Sequence, residues 1–87
     1  MTITAMRIDA SDNVACLLRD HAAGERPVLA EGPGPALIRD VPLGHKIALS
    51  RIREGDEVIK YGSAIGRARQ VIEVGEHVHL HNLAGTM

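Results

Sequence analysis

The sequence predicts a mainly all-β domain made of short hairpins that fold over one another. Glycine-containing turns recur at regular spacing along the 87 residues, with short runs of β-branched and aliphatic residues between them. No stretch carries apolar residues at a long helical period, which argues against a βαβ organisation. A chain of this length makes one domain, which we expect to span residues 1–87.

The first half of the chain contains three predicted strands and one loop. Residues 2–9 are rich in β-branched residues, and a polar turn separates them from the apolar run at 14–18. That run is short enough to fit a strand or one or two helical turns, and we favour a strand. Residues 32–35 read Gly-Pro-Gly-Pro, which excludes a helix interior or a central strand and predicts an exposed, mobile loop. Residues 36–40 are then predicted to form a short strand.

The second half contains the densest strand pattern. We expect strands at 44–49, after a turn within 52–60, and from a turn at 62–66 to residue 71. Residues 52–58 and 72–78 share an isoleucine, a glycine, an acid after that glycine and a valine, at an offset of 20; residues 24–28 are a looser copy. The glycine suits a positive φ, and the acid can accept hydrogen bonds from nearby amides.

Composition excludes several classes of protein. The net charge is −1 and Tyr61 is the only aromatic residue, which argues against nucleic-acid binding through phosphates or stacked bases. Cys16 is the only cysteine, so disulfide scaffolds and cysteine-rich zinc sites are excluded, and we expect a packing role for it. No apolar run approaches a membrane span, and the first ten residues do not resemble a signal peptide. We therefore expect a cytoplasmic protein that binds no membrane.

The most informative segment is the alternating run at residues 76–82. In a strand, His77, His79 and His81 would face one side, while Val78 and Leu80 would face the other. Neighbouring histidines on one face would lie about 6.6 Å apart, and the outer two about 13 Å apart. Two of these imidazoles can therefore share a metal ion, whereas a third needs a bend in the chain.

His45 is the obvious additional histidine from another strand. Lys46 follows it directly, and Lys60, the other lysine, precedes Tyr61. Lysine and histidine suit the binding and protonation of carboxylate substrates. For the histidines three interpretations stay open: the polar face of a half-buried sheet edge, a metal site, or an acid–base and substrate site. Lys60 also fits a solvated lysine, and Tyr61 a large side chain that covers a small core.

Four motifs in order resemble the N-terminal domain of altronate and galactarate dehydratases. They are PLGHKIAL at 42–49, GDEVIKYG at 55–62, IGRA at 65–68 and GEHVHLHN at 75–82, and DNVA at 12–15 matches the start of such domains. The resemblance implies an SAF-type module with a β-clip fold. It covers nearly the whole chain, although residues 32–35 lie outside the pattern.

The resemblance also implies an activity. Members of this family are metal-dependent lyases that act on sugar acids, and the domain either precedes a large catalytic domain or, as in sulfolactate sulfo-lyase, forms a separate small subunit. We expect this chain to be such a small subunit, inactive without a large catalytic partner. It would help to eliminate water from a sugar acid, or sulfite from sulfolactate. The expected cofactor is a divalent metal such as Fe²⁺ or Mn²⁺, held mainly by the large subunit.

The matching motifs carry the expected site residues. We expect catalytic roles for four residues, which are His45, Lys60, His77 and His79. We expect four further residues to bind substrate, namely Lys46, Tyr61, His81 and Asn82. Two other functions remain open: a non-catalytic module for sugar-acid binding or assembly, and a self-sufficient metal-binding protein built on the histidines. When the chain is alone, a homo-oligomer is also open.

Overall fold

The described part of the chain, residues 2–85 of a computed structural model, contains strands and turns but no helix. The strands are short: β1 (Ala5–Met6), β2 (Val14–Leu17), β3 (Val28–Leu29), β4 (Gly32–Pro33), β5 (Lys46–Ala48), β6 (Glu57–Lys60), β7 (Ser63–Ala68), β8 (His77–Val78) and β9 (Leu83–Gly85). The predicted all-β class is therefore confirmed. In residues 2–85 no helix is long and apolar enough to cross a membrane.

Three antiparallel units make up the fold. The central sheet has the order β1-β2-β5-β8, β3 pairs with β4, and β6-β7-β9 form a third sheet. In the central sheet Ile47 lies between Ala15 on one side and His77 on the other. This register brings residues 45–47 and 77–78, which are far apart in sequence, to one edge of the sheet.

Apolar side chains pack on both faces of the central sheet. Because side chains alternate along a strand, Val14 and Ala48 join one core, while Ala15 and Ile47 join the other. The first core consists of Val14, Ala48, Ile52, Val58, Ala68, Ile72, Val78 and Leu83. The second consists of Ala5, Ala15, Leu17, Leu29, Leu37, Val41 and Ile47. Both cores are aliphatic, and they fix the central sheet from its two sides.

Four similar β-turns organise the chain. They span residues 22–25, 42–45, 53–56 and 73–76, each closed by a hydrogen bond from the last amide to the first carbonyl. The third residue of each turn is a glycine with φ between +83° and +86°, as a type II turn requires. The repeat predicted between 52–58 and 72–78 is thus real, the looser copy at Gly24 belongs to it, and the turn at Gly44 is a fourth copy.

These turns are paired across isolated β-bridges. Reciprocal backbone hydrogen bonds join His21 to Val41 and Ile52 to Ile72, and both pairs are separated by 20 residues. Each bridging residue lies just before a turn, so the bridges bring the turns together two by two. The offset seen in sequence therefore reflects two copies of one local arrangement.

The structure corrects several details of the strand prediction, among them the turn expected at 62–66, where β7 already begins at Ser63. Gly32 and Pro33 pair with β3 as a small hairpin instead of forming a free loop, and residues 36–40 contain no strand. The first strand covers Ala5–Met6 only, because residues 2–4 and 7–9 lack ladder partners. The last histidine strand ends at Val78, after which residues 79–82 turn back.

Candidate histidine site

Four histidines gather at the outer edge of the central sheet. His45 precedes β5, His77 lies in β8, and His45 Nδ1 is 2.9 Å from His77 Nε2. The rings of His45 and His79 stack with centroids 4.3 Å apart. The centroid of the His77 ring lies 5.5 Å from those of both His79 and His81. The structure therefore brings His45 to the C-terminal histidines, as the sequence predicted.

A bend beyond β8 draws these rings together. The amides of Asn82 and Leu83 both donate to the carbonyl of His79, which closes a turn. A straight strand would have placed His77 and His81 about 13 Å apart, so their proximity depends on this turn. The expectation of one continuous histidine strand was wrong.

Asn82 holds that turn from inside the protein. Its side chain is fully buried, and its Oδ1 accepts a 2.9 Å hydrogen bond from the His79 amide. Its Nδ2 donates to the His77 carbonyl at 2.8 Å and to Glu76 Oε2 at 3.3 Å. The amide group thus has no exposed atom with which to bind substrate. In this chain the Asn82 amide group positions the backbone of His77 and His79, and its expected role in substrate binding stays a prediction.

His45 occupies a position that serves another purpose in the other three turns. There the residue after the glycine is an acid that accepts a hydrogen bond from the amide of the first turn residue. These bonds join Glu25 to Ala22 at 3.1 Å, Asp56 to Arg53 at 3.3 Å and Glu76 to Glu73 at 2.9 Å.

In the turn at Gly44 the first residue is Pro42, which has no N–H to donate. Because this turn has no amide to donate at its first residue, an acid at position 45 would have no such partner. A histidine occupies the position instead. Its ring reaches His77 rather than the turn backbone.

Burial and neighbouring charge favour the neutral forms of His77 and His79. Burial, followed by the charges of His45, His79, His81 and Arg39, lowers the pKa of His77 to about 4. Burial and the neighbouring charges of His45, Lys46 and His81 also lower the pKa of His79. At neutral pH the His77 imidazole is therefore uncharged, with one lone pair and one N–H.

The geometry of three of these rings fits a metal ion. His45, His77 and His79 each offer a nitrogen, and the three nitrogens lie within 4.8 Å of one another. Two nitrogens bound about 2.1 Å from one ion are about 3.0 Å apart at a right angle and about 3.4 Å apart at a tetrahedral angle. The 2.9 Å separation of His45 and His77 is close to these values. His81 lies outside this group of three.

The remaining predicted site residues form a second group. Lys46 pairs with Cys16 across β2 and β5, and the Tyr61 hydroxyl lies 4.0 Å from Cys16 Sγ. Lys60 Nζ lies 4.8 Å from the centre of the Tyr61 ring. The charge and hydrogen bond of Cys16, with burial, raise the pKa of Tyr61. Lys46 links the two groups because its charge acts on His79. Among residues 2–85, no hydrogen bond or ring contact joins Lys60 or Tyr61 to the four histidines.

Two residues before β2 hold the Lys60–Tyr61 hairpin in place. The buried Asp12 carboxylate accepts a 2.8 Å hydrogen bond from the amide of Gly62. Burial raises the pKa of Asp12, but backbone N–H groups outweigh that effect and leave the pKa lowered. Asn13 bonds to the backbone of both Glu57 and Ile59. The DNVA motif thus ties the hairpin to the central sheet.

His21 is a histidine that the sequence analysis did not single out. It is buried, with Nδ1 2.8 Å from Glu25 Oε1 and Nε2 3.0 Å from Thr4 Oγ1. The Thr4 oxygen accepts from the Val28 amide, so its hydroxyl proton is available for His21 Nε2. Both ring nitrogens are therefore occupied within the chain. His21 is a structural histidine, although a surface pocket lies beside it.

Comparison with known proteins agrees with this architecture. The family model described as the altronate/galactarate dehydratase SAF domain matches residues 3–86. Altronate dehydratases of Bacillus subtilis (strain 168) and Escherichia coli (strain K12) are each 47% identical over 77 residues, which cover 88% of this chain and 15% of the relative. The (2R)-sulfolactate sulfo-lyase subunit alpha of Paracoccus pantotrophus is 54% identical over 43 residues, which cover 49% of this chain and 64% of the relative.

The chain spans about 15% of the length of the two altronate dehydratases. The similarity therefore extends over nearly all of this chain but reaches only one part of those enzymes. Together, the family match, the all-β fold and the repeated turns show that this chain belongs to the altronate/galactarate dehydratase SAF domain family.

Proposed function

We propose that this chain is the SAF component, as small subunit or domain, of a metal-dependent hydro-lyase. The enzyme would remove water from a sugar acid such as altronate or galactarate, or sulfite from sulfolactate, together with a large catalytic unit. The observation that carries the proposal is the convergence of His45, His77 and His79 in a chain of this family. The names of the similar proteins support the same class of reaction.

Elimination next to a carboxylate needs two kinds of assistance. A base must remove the weakly acidic proton α to the carboxylate, and the developing negative charge must be stabilised while the leaving group departs. A neutral imidazole can exchange a proton, donate a hydrogen bond to a substrate hydroxyl, or offer its lone pair to a cation. With its pKa at about 4, His77 is a weak base, and it is better suited to the last two roles at neutral pH.

Two lysines suit an acidic substrate, one beside the histidines and one in the second group. Lys46 is half-buried and next to the cluster, and Lys60 is held against the Tyr61 ring. We assign Lys46, Lys60, Tyr61 and His81 to the surface of this chain that lines the substrate site, which we call the substrate wall. A divalent ion such as Fe²⁺ or Mn²⁺, held mainly by the large unit, would supply Lewis-acid stabilisation of the developing charge.

Co-expression with a large dehydratase unit tests the proposal. We expect the purified complex to convert altronate, galactarate or sulfolactate, and His79→Ala to lower kcat/KM by about 100-fold or more. Arg53→Ala is the control, because Arg53 is exposed and pairs with Asp56 in the turn at Gly55. Both variants should keep the wild-type circular dichroism spectrum.

Two results would contradict the proposal. If the complex forms but His79→Ala and Arg53→Ala are equally active, the chain is an assembly module and the histidines do not take part in the reaction. If Lys60→Met retains the wild-type KM for every acid substrate that the complex uses, Lys60 does not belong to the substrate wall.

A further inference from the structure

We infer that His45, His77 and His79 form a tri-imidazole site that binds a divalent transition-metal ion within this chain alone. The inference uses the same residues as the proposed function and gives them a specific ligand. It does not depend on a partner subunit, because all three donors come from one chain.

The first argument is the position of the nitrogens. His45 Nδ1 and His77 Nε2 are 2.9 Å apart. One ring nitrogen from each of His45, His77 and His79 lies within 4.8 Å of the other two. An ion with three nitrogen ligands at about 2.1 Å needs separations of about 3.0–3.4 Å. Small rotations of the rings would satisfy this requirement, since each pair of ligands starts within about 1.5 Å of it.

The second argument is that the His45 side chain makes no hydrogen bond that stabilises its own turn. The equivalent side chains at Glu25, Asp56 and Glu76 cap the first amide of their turns, whereas Pro42 leaves no such amide for His45. The backbone at this position still makes the turn hydrogen bond to the Pro42 carbonyl. The imidazole is thus available for a ligand without loss of the turn.

The contrast with His21 supports the same conclusion. Both nitrogens of His21 have partners from the protein, Glu25 and Thr4, as expected of a histidine that serves the fold. In the trio, by contrast, the His45 and His77 rings hydrogen-bond to each other. A metal ion would replace this shared hydrogen bond with two coordinate bonds, and the ring that donates the hydrogen bond would move its proton to its other nitrogen.

The donor set indicates which ions fit. Imidazole nitrogens favour Zn²⁺, Co²⁺, Ni²⁺, Cu²⁺ and Fe²⁺, whereas Mg²⁺ and Ca²⁺ require oxygen ligands. The nearby carboxylate of Glu76 is engaged by the Glu73 amide and by Asn82, so it does not join the trio. The three histidines remain half-exposed, which leaves further coordination positions open to water or a substrate hydroxyl.

Titration of the purified full-length chain with Zn²⁺ and Co²⁺ at pH 7.5 tests the inference. We expect one equivalent of Zn²⁺ to bind with a Kd below about 10 μM, and Mg²⁺ not to compete. Nitrogen-15 spectra of the imidazoles should show coordination through His45 Nδ1 and His77 Nε2. A Kd above about 10 μM for Zn²⁺ would overturn the inference.

Matched variants separate this site from adventitious binding by exposed histidines. His79→Ala should weaken Zn²⁺ binding at least tenfold, whereas His81→Ala should change it less than twofold. Equal losses in the two variants would overturn the inference. Neither result would contradict the lyase proposal, because that proposal is tested by turnover of the complex and allows the same imidazoles to act by proton transfer.

Discussion

Pro42 and His45 are the first and last residues of one β-turn, and together they replace the amide and the acid that bond to each other in the three related turns. Proline removes the donor, and histidine takes the place of the acceptor. Because Pro42 has no N–H, the turn loses no hydrogen bond when His45 replaces the acid. The turn therefore presents an imidazole toward His77 at little cost to its own stability.

A double-mutant cycle can measure this relationship. His45→Glu alone should gain no turn hydrogen bond, since Pro42 has no N–H, whereas the same change combined with Pro42→Ala should form one. We expect a coupling free energy of about 1 kcal/mol in favour of the double variant, measured by urea unfolding. Additive effects of the two substitutions would show that the acid and the amide do not interact in this turn.

The role of Asn82 can be separated from its contribution to stability. Asn82→Ala should lower the free energy of unfolding by about 2–3 kcal/mol, because buried backbone groups of His77 and His79 lose their partner. It should also displace the rings of His77 and His79, visible as a loss of Zn²⁺ affinity.

Asn13→Ala is the matched control for that experiment. Asn13 also bridges two backbone groups, those of Glu57 and Ile59, but it does so beneath a different hairpin. We expect a similar loss of stability with the metal affinity unchanged. If both variants lose metal affinity to the same extent, the effect of Asn82 is general destabilisation and not positioning.

The lowered pKa of His77 makes a prediction about pH. In the unfolded chain this imidazole takes up a proton near pH 6.5, whereas in the folded chain it does so only near pH 4. As the pH falls from 6.5 to 4, the unfolded state therefore binds more protons, and the free energy of unfolding decreases through this window. Above pH 6.5 His77 should have no effect of this kind.

Unfolding measurements on His77→Gln check the prediction. The difference in stability between wild type and variant should change between pH 6.5 and 4 and be constant above that range. An NMR titration should give a midpoint near 4 for His77 in the folded chain. A midpoint at the ordinary value of 6.5 would contradict the burial and charge effects that we assign to the cluster.

The repeated turns offer a comparison of glycine positions. Gly55 and Gly75 have φ values of +85° and +83°, so alanine is strained at both. A Cβ at Gly55 would meet open space, whereas one at Gly75 would lie 2.2 Å from the Ala36 carbonyl oxygen. We expect Gly55→Ala to cost about 1–2 kcal/mol. Gly75→Ala should cost more than Gly55→Ala by thermal unfolding, and equal losses would mean that the contact with Ala36 relaxes freely.

Local sequence patterns predicted the turns best where the turn conformation depends only on neighbouring residues. Glycine followed by an acid marked the turns because a positive φ and a bond to a nearby amide both depend on neighbouring residues. The pattern did not reveal the turn at Gly44, since His45 stands where the acid was expected. Residues 36–40 looked like a strand, but they bond to turn residues instead of forming a ladder.

The meeting of the histidines was easier to predict from the sequence than their arrangement. His45 was expected to join the C-terminal histidines, but the distance between His77 and His81 depends on a turn fixed by the buried Asn82. Such a turn cannot be inferred from alternation, because His79, Leu80 and His81 fit a strand equally well. His21 was missed for a related reason: its partners Thr4 and Glu25 become neighbours only in the folded chain.

The hydrogen bond from Asn82 to the His77 carbonyl has a consequence for the sheet as well. β8 is the last strand of the central sheet, and the Glu76 carbonyl points inward to Ala48, so the next carbonyl along, that of His77, points outward. An outward carbonyl on an edge strand is where a foreign strand would attach and start aggregation. Asn82 occupies that acceptor, and with β8 only two residues long, this edge is a poor template for amyloid-like growth.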